Sequence, residues 1–276
     1  MRIVTFYHGG KIQHGTRSGE TIHVYADAGS AVALATQTGA LSVSGKLAVS
    51  DVVLLSPVPN PGKIICIGLN YRAHAIEGGN AIPDYPAVFM RCATSLAAPG
   101  GAIIYPECSD KLDYEAELLV IIGKTARNVA AADALDHVAG YSCFNDGSVR
   151  DYQRKSTQWS MGKNFDGTGG FGPELVTCDE LPAGASGLRL IARLNGNIMQ
   201  DSNTADMIFD VATLIAILSE GMTLEPGDVI ATGTPSGVGY ARTPPVYMVP
   251  GDIIEIEIEG IGTLSNTVAR RGDFAA

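Results

Sequence analysis

The chain has 276 residues, enough for one large domain or two smaller ones. Its formal net charge of −10 repels phosphate backbones and anionic lipid, so we expect neither nucleic acid nor a membrane as a partner. Charged residues make up only 17% of the chain, and this shortage favours a homo-oligomer in which a second copy covers apolar surface.

The first part of the chain, residues 1 to about 60, has the pattern of short strands separated by glycine-containing turns, and its last predicted strand is 52–55. Three prolines and a glycine follow within residues 56–62, a composition that excludes a central element. We therefore predict a domain boundary there, with a small β-rich N-terminal domain at 1–60 and a second domain at 61–276.

Strand patterns dominate the second part. Short apolar runs predict strands at 63–68, 114–122, 140–144 and 229–232, and alternation predicts strands at 188–194 and 253–259. The turn Asn195-Gly196-Asn197 predicts a hairpin. A helix is predicted at 211–221 with Asp210 as its N-cap, and a shorter one at 132–138. Few helices among many strands indicate a strand-rich α+β fold rather than a doubly wound parallel one.

One nucleotide-binding motif is matched only formally. Residues 167–172 fit the pattern GxGxxG, but a dinucleotide site needs a strand before the motif and a helix after it, whereas Pro173 and a strand-like run follow here. We therefore predict a flexible loop at 167–172. The chain contains no GxxxxGKS/T, HExxH or GxSxG pattern, so a P-loop enzyme or a serine hydrolase is not supported.

Three carboxylates are candidates for a metal site. Glu115 and Glu117 are two positions apart on a predicted strand, so both side chains leave the same face, and a nearby cation would neutralise their like charges. Asp146 ends another apolar strand. Oxygen ligands without cysteine or histidine favour Mg²⁺, Mn²⁺ or Ca²⁺ over zinc. The glutamates at 255, 257 and 259 have the same spacing on a predicted solvated face, so spacing alone leaves both interpretations open.

The five cysteines are odd in number and lack CxxC spacing, which is typical of free thiols in a reducing compartment. The N-terminus has no long apolar segment followed by a small-residue cleavage site. No apolar run approaches the roughly 20 residues of a membrane span. We therefore expect a cytoplasmic protein.

Six ordered motifs within residues 60–269 resemble those of the fumarylacetoacetate hydrolase family. They are KIICIGLNY at 63–71 with His74 and Glu77 after it, DYEAE at 113–117, NDGSVRD at 145–151, GKNFD at 162–166, DMIF at 206–209 and TGTPSGVG at 232–239. The resemblance implies a β-roll catalytic domain built on a mixed sheet, preceded by a small N-terminal domain and usually found in a homodimer. The first sixty residues add little to it.

The resemblance also implies roles for individual residues. The implied metal ligands are Glu115, Glu117 and Asp146, with Mg²⁺ or Mn²⁺ as the ion and Ca²⁺ as an alternative. The implied catalytic residues are His74, Glu77 and Lys163, and the implied substrate-binding residues are Arg150, Thr234, Gly233 and Tyr71. Arg150 is expected to pair with Asp146 or to contact the substrate. By pattern alone His74 would be a surface histidine and Lys163 a solvated lysine, so their roles depend on the resemblance.

The implied reaction is hydrolytic cleavage of a C–C bond in an acylpyruvate or a related 1,3-diketo acid, with pyruvate enolate as the leaving group. His74, oriented by Glu77, would take a proton from water, and Lys163 would stabilise the oxyanion. The same site would serve decarboxylation of a 2-oxo acid such as oxaloacetate, or isomerisation of a hydroxymuconate, and these remain alternatives. A metal-stabilised binding protein without turnover belongs to a different class. The presence of both His74 and Glu77 argues against it, because binding alone needs no catalytic base.

Two departures from the family pattern leave the substrate open. Arg91 stands where many members have lysine, and the glycine-rich stretch at 167–172 is looser than usual.

The segment 71–83 carries the predicted pair of His74 and Glu77 and includes Gly78-Gly79, a glycine pair that provides hinge dihedrals. We predict that this segment is mobile without ligand and ordered with one.

Overall fold

A computed structural model describes residues 1–25, 27–38 and 42–273; the last residues of the predicted 61–276 domain lie outside these ranges. Its strands are β1 (Arg2–His8), β2 (Lys11–Ser18), β3 (Thr21–Val24), β4 (Gly45–Ala48), β5 (Val53–Leu55), β6 (Ile64–Gly68), β7 (Ala87–Arg91), β8 (Leu96–Ala97), β9 (Ala102–Tyr105), β10 (Leu112–Asp113), β11 (Ala116–Ile122), β12 (Val138–Asp146), β13 (Ser148–Val149), β14 (Gly169–Thr177), β15 (Arg189–Leu194), β16 (Asn197–Asn203), β17 (Val229–Ala231), β18 (Ile253–Ile258) and β19 (Gly262–Arg270). The predicted strand-rich α+β fold is confirmed.

Helices are short and few by comparison. The α-helices are α1 (Ala31–Thr36), α2 (Arg72–Glu77), α3 (Arg150–Gln153), α4 (Ser160–Lys163) and α5 (Val211–Gly221). The 3₁₀ helices are Val49–Asp51, Ala93–Ser95, Ala131–His137, Cys178–Glu180, Ala183–Ala185, Thr204–Asp206 and Gly239–Ala241. The predicted helix at 132–138 is therefore a 3₁₀ helix. Within the described ranges, no helix has both the length and the apolar character that crossing a membrane requires.

The large sheet is mixed, as expected. Its strands follow the order β4-β3-β2-β1-β14-β12-β11-β17-β6-β7, with β5 beside β1 and β8 beside β14. β17 runs parallel to β6, whereas β11 is antiparallel to both of its neighbours, β12 and β17. β1 pairs with β14, so the N-terminal strands extend this sheet. The predicted boundary at 56–62 falls between β5 and β6 and remains a prediction.

Two hydrophobic cores lie on opposite faces of the large sheet, and β11 contributes to both. Leu118 and Val120 point into a core shared with α5 and the five-stranded sheet β16-β15-β18-β19-β9, whereas Leu119 and Ile121 point into the core that contains α1. Every residue of β11 is buried, as a central strand covered on both faces requires. Glu117 alternates with Leu118 on the strand, so it shares the face of Leu119, and its side chain is buried.

The prediction of a flexible loop at 167–172 is wrong for its last four residues, because β14 begins at Gly169 and residues 169–172 are buried. A Cβ atom at Gly169 would lie 2.8 Å from Arg91 Nη2, and one at Gly172 would lie 2.3 Å from Pro99 Cγ. The glycines at these positions therefore make room for neighbouring groups against the strand.

Candidate active site

The carboxylate cluster, defined as Glu115, Glu117 and Asp146, forms where β11 and β12 meet. Glu115 directly precedes β11 and Asp146 is the last residue of β12, and the main-chain N–H of Asp146 donates to Glu115 O at 2.9 Å. One oxygen from each side chain lies within 4.8 Å of the others, and all three residues are buried. Antiparallel pairing thus brings the three predicted ligands together.

Three buried cations contact the cluster. Lys163 Nζ lies 2.6 Å from Glu115 Oε2 and 2.5 Å from Asp146 Oδ2. Arg150 Nη2 lies 2.6 Å from the other oxygen of Glu115, and Arg91 Nη1 donates to Asp146 Oδ1 at 2.5 Å. Of the two roles expected for Arg150, pairing with Asp146 is not observed, because Arg91, at the end of β7, and Lys163 contact that carboxylate. Contact of Arg150 with the substrate stays a prediction.

The neighbouring charges shift the pKa values of Glu115 and Glu117 in opposite directions. Although burial opposes ionisation, the Arg150 guanidinium and the Lys163 ammonium lower the pKa of Glu115 to about 2. For Glu117, burial and the neighbouring Asp146 and Glu115 raise the pKa well above its usual range. Lys163 is held charged: burial opposes its protonation, but Asp146 and Glu115 raise its pKa.

Glu117 is the member of the cluster that lacks a cation. Within the described part of the chain its carboxylate forms no ion pair, and its recorded hydrogen-bond donor is the main-chain N–H of Gly233, 2.9 Å from Oε2. A buried carboxylate beside two others is stabilised by a hard divalent cation, and an all-oxygen donor set suits Mg²⁺ or Mn²⁺. The cluster therefore fits a divalent metal ion.

A histidine that lines the same cavity as the cluster is paired with a glutamate. His74 and Glu77 lie on α2, and His74 Nδ1 is 3.3 Å from Glu77 Oε2. The second oxygen of Glu77 accepts a hydrogen bond from the Gly237 N–H at 2.9 Å. His74 is buried, so the expectation of a surface histidine from pattern alone does not hold. With Nδ1 facing a carboxylate, Nε2 is the nitrogen left for a ligand.

The cavity has a volume of about 450 Å³. The residues that line it are Ile67, Gly68, Leu69, His74, Gly78, Asn80, Phe89, Glu115, Glu117, Asp146, Arg150, Gln153, Arg154, Trp159, Lys163, Thr234 and Tyr240. Trp159 packs edge-on against Phe89 with ring centroids 5.7 Å apart. A Cβ at Gly68 would lie 2.2 Å from Trp159 Cζ3, so glycine is required for this aromatic wall.

Only two of the four predicted substrate-binding residues line this cavity. Arg150 and Thr234 line it, and Thr234 Oγ1 accepts from Gln200 Nε2 at 2.8 Å, which leaves the hydroxyl proton for a ligand. Gly233 acts through its N–H on Glu117. Tyr71 does not line the cavity: its hydroxyl is buried and has no hydrogen-bond partner among the described residues. Burial, together with Glu117, raises the pKa of Tyr71.

Several functional contacts were missed by sequence reasoning. Arg91 was noted as a departure from the family pattern, but its contact with Asp146 was not foreseen. Asp113, inside the DYEAE motif, accepts from Arg150 Nε at 2.7 Å and from two main-chain N–H groups of the segment that carries Tyr240. The position of Asp113 in a motif next to Glu115 was a signal that it supports the site.

Comparison with known proteins identifies a matching family and several similar proteins. The family model described as "Fumarylacetoacetate (FAA) hydrolase C-terminal" matches residues 63–269, a range that contains all six motifs. The Bacillus subtilis protein named oxaloacetate tautomerase YisK is 46% identical over 223 residues, covering 79% of this chain and 74% of that protein.

Two solved structures superpose over 98% of this chain and 100% of their own. One is the fumarylacetoacetate hydrolase from Exiguobacterium antarcticum, with 36% identity and a TM-score of 0.87. The other is a 5-carboxymethyl-2-hydroxymuconate delta-isomerase from Mycobacterium smegmatis, with 32% identity and a TM-score of 0.84. The similar proteins therefore carry the names of a tautomerase, a hydrolase and an isomerase.

Proposed function

Since the chain belongs to the fumarylacetoacetate hydrolase family, we propose that it interconverts the keto and enol forms of a 2-oxo dicarboxylic acid of the oxaloacetate type. The observation that carries this proposal is that His74, whose Nδ1 faces Glu77, lines one cavity with the carboxylate cluster. A base next to a metal-binding cluster is what proton abstraction beside a carbonyl requires.

The charges of the site favour a doubly negative substrate. Arg91, Arg150 and Lys163 contact the cluster of three carboxylates, and Arg150 also pairs with the buried Asp113, so three cations face four carboxylates when all are ionised. A divalent cation bound there would polarise the carboxylate and 2-oxo oxygens of the substrate and so acidify the adjacent C–H bond. With a divalent cation and Arg154, which also lines the cavity, added to these four carboxylates and three cations, the site carries two net positive charges, which a dianion balances.

His74 moves the proton. Its Nδ1 is held by Glu77, and Glu77 is held in turn by the Gly237 N–H, so the ring is fixed with Nε2 available. Nε2 takes a proton from C3 of the keto acid and returns it in the reverse direction. In the keto-to-enol direction the enolate oxygen takes up a proton from solvent and His74 releases the C3 proton to solvent; the enol-to-keto direction reverses both transfers. No C–C bond breaks in this reaction.

Proton transfer is favoured over the acylpyruvate hydrolysis expected from the sequence, because YisK bears the name of an oxaloacetate tautomerase and the Mycobacterium smegmatis structure that of an isomerase. Hydrolysis would use the same His74 to deprotonate water at a second carbonyl. Decarboxylation of oxaloacetate would use the same cluster without a base at C3. The three reactions differ in product, so one panel of substrates separates them.

The test follows the ultraviolet absorbance of freshly dissolved enol-oxaloacetate with protein and Mg²⁺ or Mn²⁺, against a blank that contains the metal ion alone. We expect the enol signal to decay faster with protein, without pyruvate in a coupled lactate dehydrogenase assay. Pyruvate release at the rate of enol loss would instead identify a decarboxylase. Consumption of acylpyruvates without enol-oxaloacetate turnover would identify the hydrolase.

A matched pair of variants assigns the activity to this site. Glu77→Gln keeps the side-chain volume but removes the charge that orients His74, and we expect a large loss of kcat with retained Mn²⁺ binding. Glu255→Gln makes the same chemical change on the half-exposed face of β18 and should behave as wild type. Equal activity in the two variants would contradict the assigned base.

A further inference from the structure

We propose that Arg154, held against the ring of Tyr240, binds the second carboxylate of the substrate and thereby selects dicarboxylic 2-oxo acids. The proposal rests on the proposed function, since it takes the first carboxylate and the 2-oxo group to lie at the carboxylate cluster. It assigns to Arg154 a role in specificity.

The cations that line the cavity differ in whether their charge is already neutralised. Arg150 pairs with Asp113 and Glu115, and Lys163 pairs with two members of the cluster. Arg154 also lines the cavity, is exposed, and forms no ion pair with any carboxylate in the described ranges. Arg154 is therefore the lining cation whose charge is left for a ligand.

The side chain of Arg154 is nevertheless held in place. Its main-chain N–H donates to Arg150 O at 3.2 Å, where it caps α3, so the two arginines are one helical turn apart. Their guanidinium carbons lie 4.4 Å (Arg154) and 4.5 Å (Arg150) from the Tyr240 ring centroid. Attraction between a cation and an aromatic face reduces the freedom of an arginine before a ligand binds.

Tyr240 is fixed by the same residue that fixes Arg150. The main-chain N–H of Tyr240 donates to Asp113 Oδ2 at 3.0 Å, and Arg150 Nε donates to that oxygen at 2.7 Å. Asp113 is fully buried. The ring that supports Arg154 is thus part of the framework that holds the cluster, and it does not depend on a mobile surface contact.

The position of Tyr240 also suits the chemistry. In oxaloacetate the second carboxylate is attached to C3, the atom from which His74 takes its proton, so the group that binds this carboxylate must lie near the His74–Glu77 pair. A Cβ at Gly78, the residue after Glu77, would lie 3.1 Å from the Tyr240 hydroxyl. Tyr240 therefore lies beside the end of α2, which carries the pair.

Lys155 provides a matched control. It is the next residue after Arg154 and is also exposed, but it does not line the cavity, and its Nζ lies 3.2 Å from the ring centroid of Tyr152. Lys155→Gln and Arg154→Gln remove the same charge from the same turn of the chain. A difference between the two variants therefore reports the cavity and not the general electrostatic field.

The kinetic test compares enol-oxaloacetate with enol-phenylpyruvate, which has the same 2-oxo acid end but a neutral ring in place of the second carboxylate. We expect Arg154→Gln to raise KM for oxaloacetate about 10- to 100-fold, the effect of losing one charged hydrogen bond. The kcat for either substrate and the KM for phenylpyruvate should change less than about two-fold, far less than the KM for oxaloacetate. Equal losses with both substrates, or equal behaviour of Lys155→Gln, would overturn the proposal.

A binding experiment separates this proposal from the proposed reaction. Calorimetry with Mg²⁺ compares 2-oxoglutarate with 2-oxopentanoate, which carries a methyl group in place of the distal carboxylate. We expect wild type to prefer the dicarboxylate and Arg154→Gln to lose this preference. If this holds without any enol turnover, the reaction is wrong and the specificity residue stands. If wild type shows no preference, or Arg154→Gln retains it, Arg154 does not select the substrate.

Discussion

Replacing Gly233 by alanine tests whether the main chain positions the carboxylate cluster. Gly233 has φ +101°, and its N–H donates to Glu117 Oε2 at 2.9 Å. An added Cβ would lie 2.7 Å from Asn70 Cβ and 3.0 Å from Ile67 O. Asn70 cannot give way, since its side-chain amide bonds to the main chain of Phe209 and Thr232. The loop must therefore move and take the N–H away from Glu117.

The substitution should lower the free energy of unfolding through two contributions, and it should also lower the affinity for metal. A non-glycine residue at this φ costs about 1–3 kcal/mol of backbone strain. The contact with Asn70 and Ile67 adds about 1–3 kcal/mol of overpacking. Loss of the hydrogen bond that orients a metal-binding carboxylate lowers metal affinity about 10- to 100-fold. We expect both effects in Gly233→Ala, measured by denaturant unfolding and by calorimetric titration with Mn²⁺.

Gly251→Ala isolates the strain. Gly251 has φ +96°, and a Cβ there would meet nothing within 4 Å. This variant should lose only the strain contribution and bind Mn²⁺ with wild-type affinity. Wild-type Mn²⁺ affinity in Gly233→Ala would refute the reasoning, and so would an equal loss of affinity in both variants.

Four further outcomes are expected. Chelation with EDTA should abolish turnover and Mg²⁺ or Mn²⁺ should restore it; activity in verified metal-free protein would rule out the metal site. His74→Ala should keep Mn²⁺ affinity but lower kcat about 10²- to 10⁴-fold, and a near-normal kcat would place the base elsewhere. Burial and two neighbouring carboxylates raise the pKa of Glu117, and metal binding requires its ionised form. Affinity for Mn²⁺ should therefore rise with pH, and calorimetry in buffers of different ionisation enthalpy should detect proton release; the absence of proton release would refute this prediction. Hydrogen exchange at 71–83 should slow only when oxalate and Mg²⁺ are both present, and equal protection without oxalate would mean that the His74–Glu77 pair is preassembled.

Patterns within single elements predicted much of the fold and part of the site. The spacing of Glu115 and Glu117 predicted that both side chains leave one face, and the family resemblance predicted that they form a metal site with Asp146. Asp210 was predicted as an N-cap, and its Oδ1 accepts from the Thr213 N–H at 2.8 Å. Asn195-Gly196 was predicted as a hairpin turn, and φ is +52° at Asn195 and +77° at Gly196. These features depend on neighbours in sequence, which is why sequence reveals them.

Contacts between distant segments were beyond the reach of such patterns. Arg91 and Asp146 are 55 positions apart, and no spacing rule connects them. The error at 167–172 has the same origin: glycines were interpreted as flexibility, whereas Gly169 leaves room for the Arg91 side chain. Arg154 and Tyr240, 86 positions apart, contact each other in segments that both bond to Asp113. Tertiary packing decides such contacts, and the six motifs indicated only the neighbourhood in which they occur.

Loop 232–239 is attached to the site by main-chain donors at two points, Gly233 to Glu117 and Gly237 to Glu77. A main-chain N–H is supplied by every amino acid except proline. Thr234 lies between these points, and its side chain lines the cavity. Replacing Thr234 would thus alter what the cavity accepts while both attachments persist. Single substitutions in this loop can therefore change the substrate preference while the main-chain hydrogen bonds to Glu117 and Glu77 are kept.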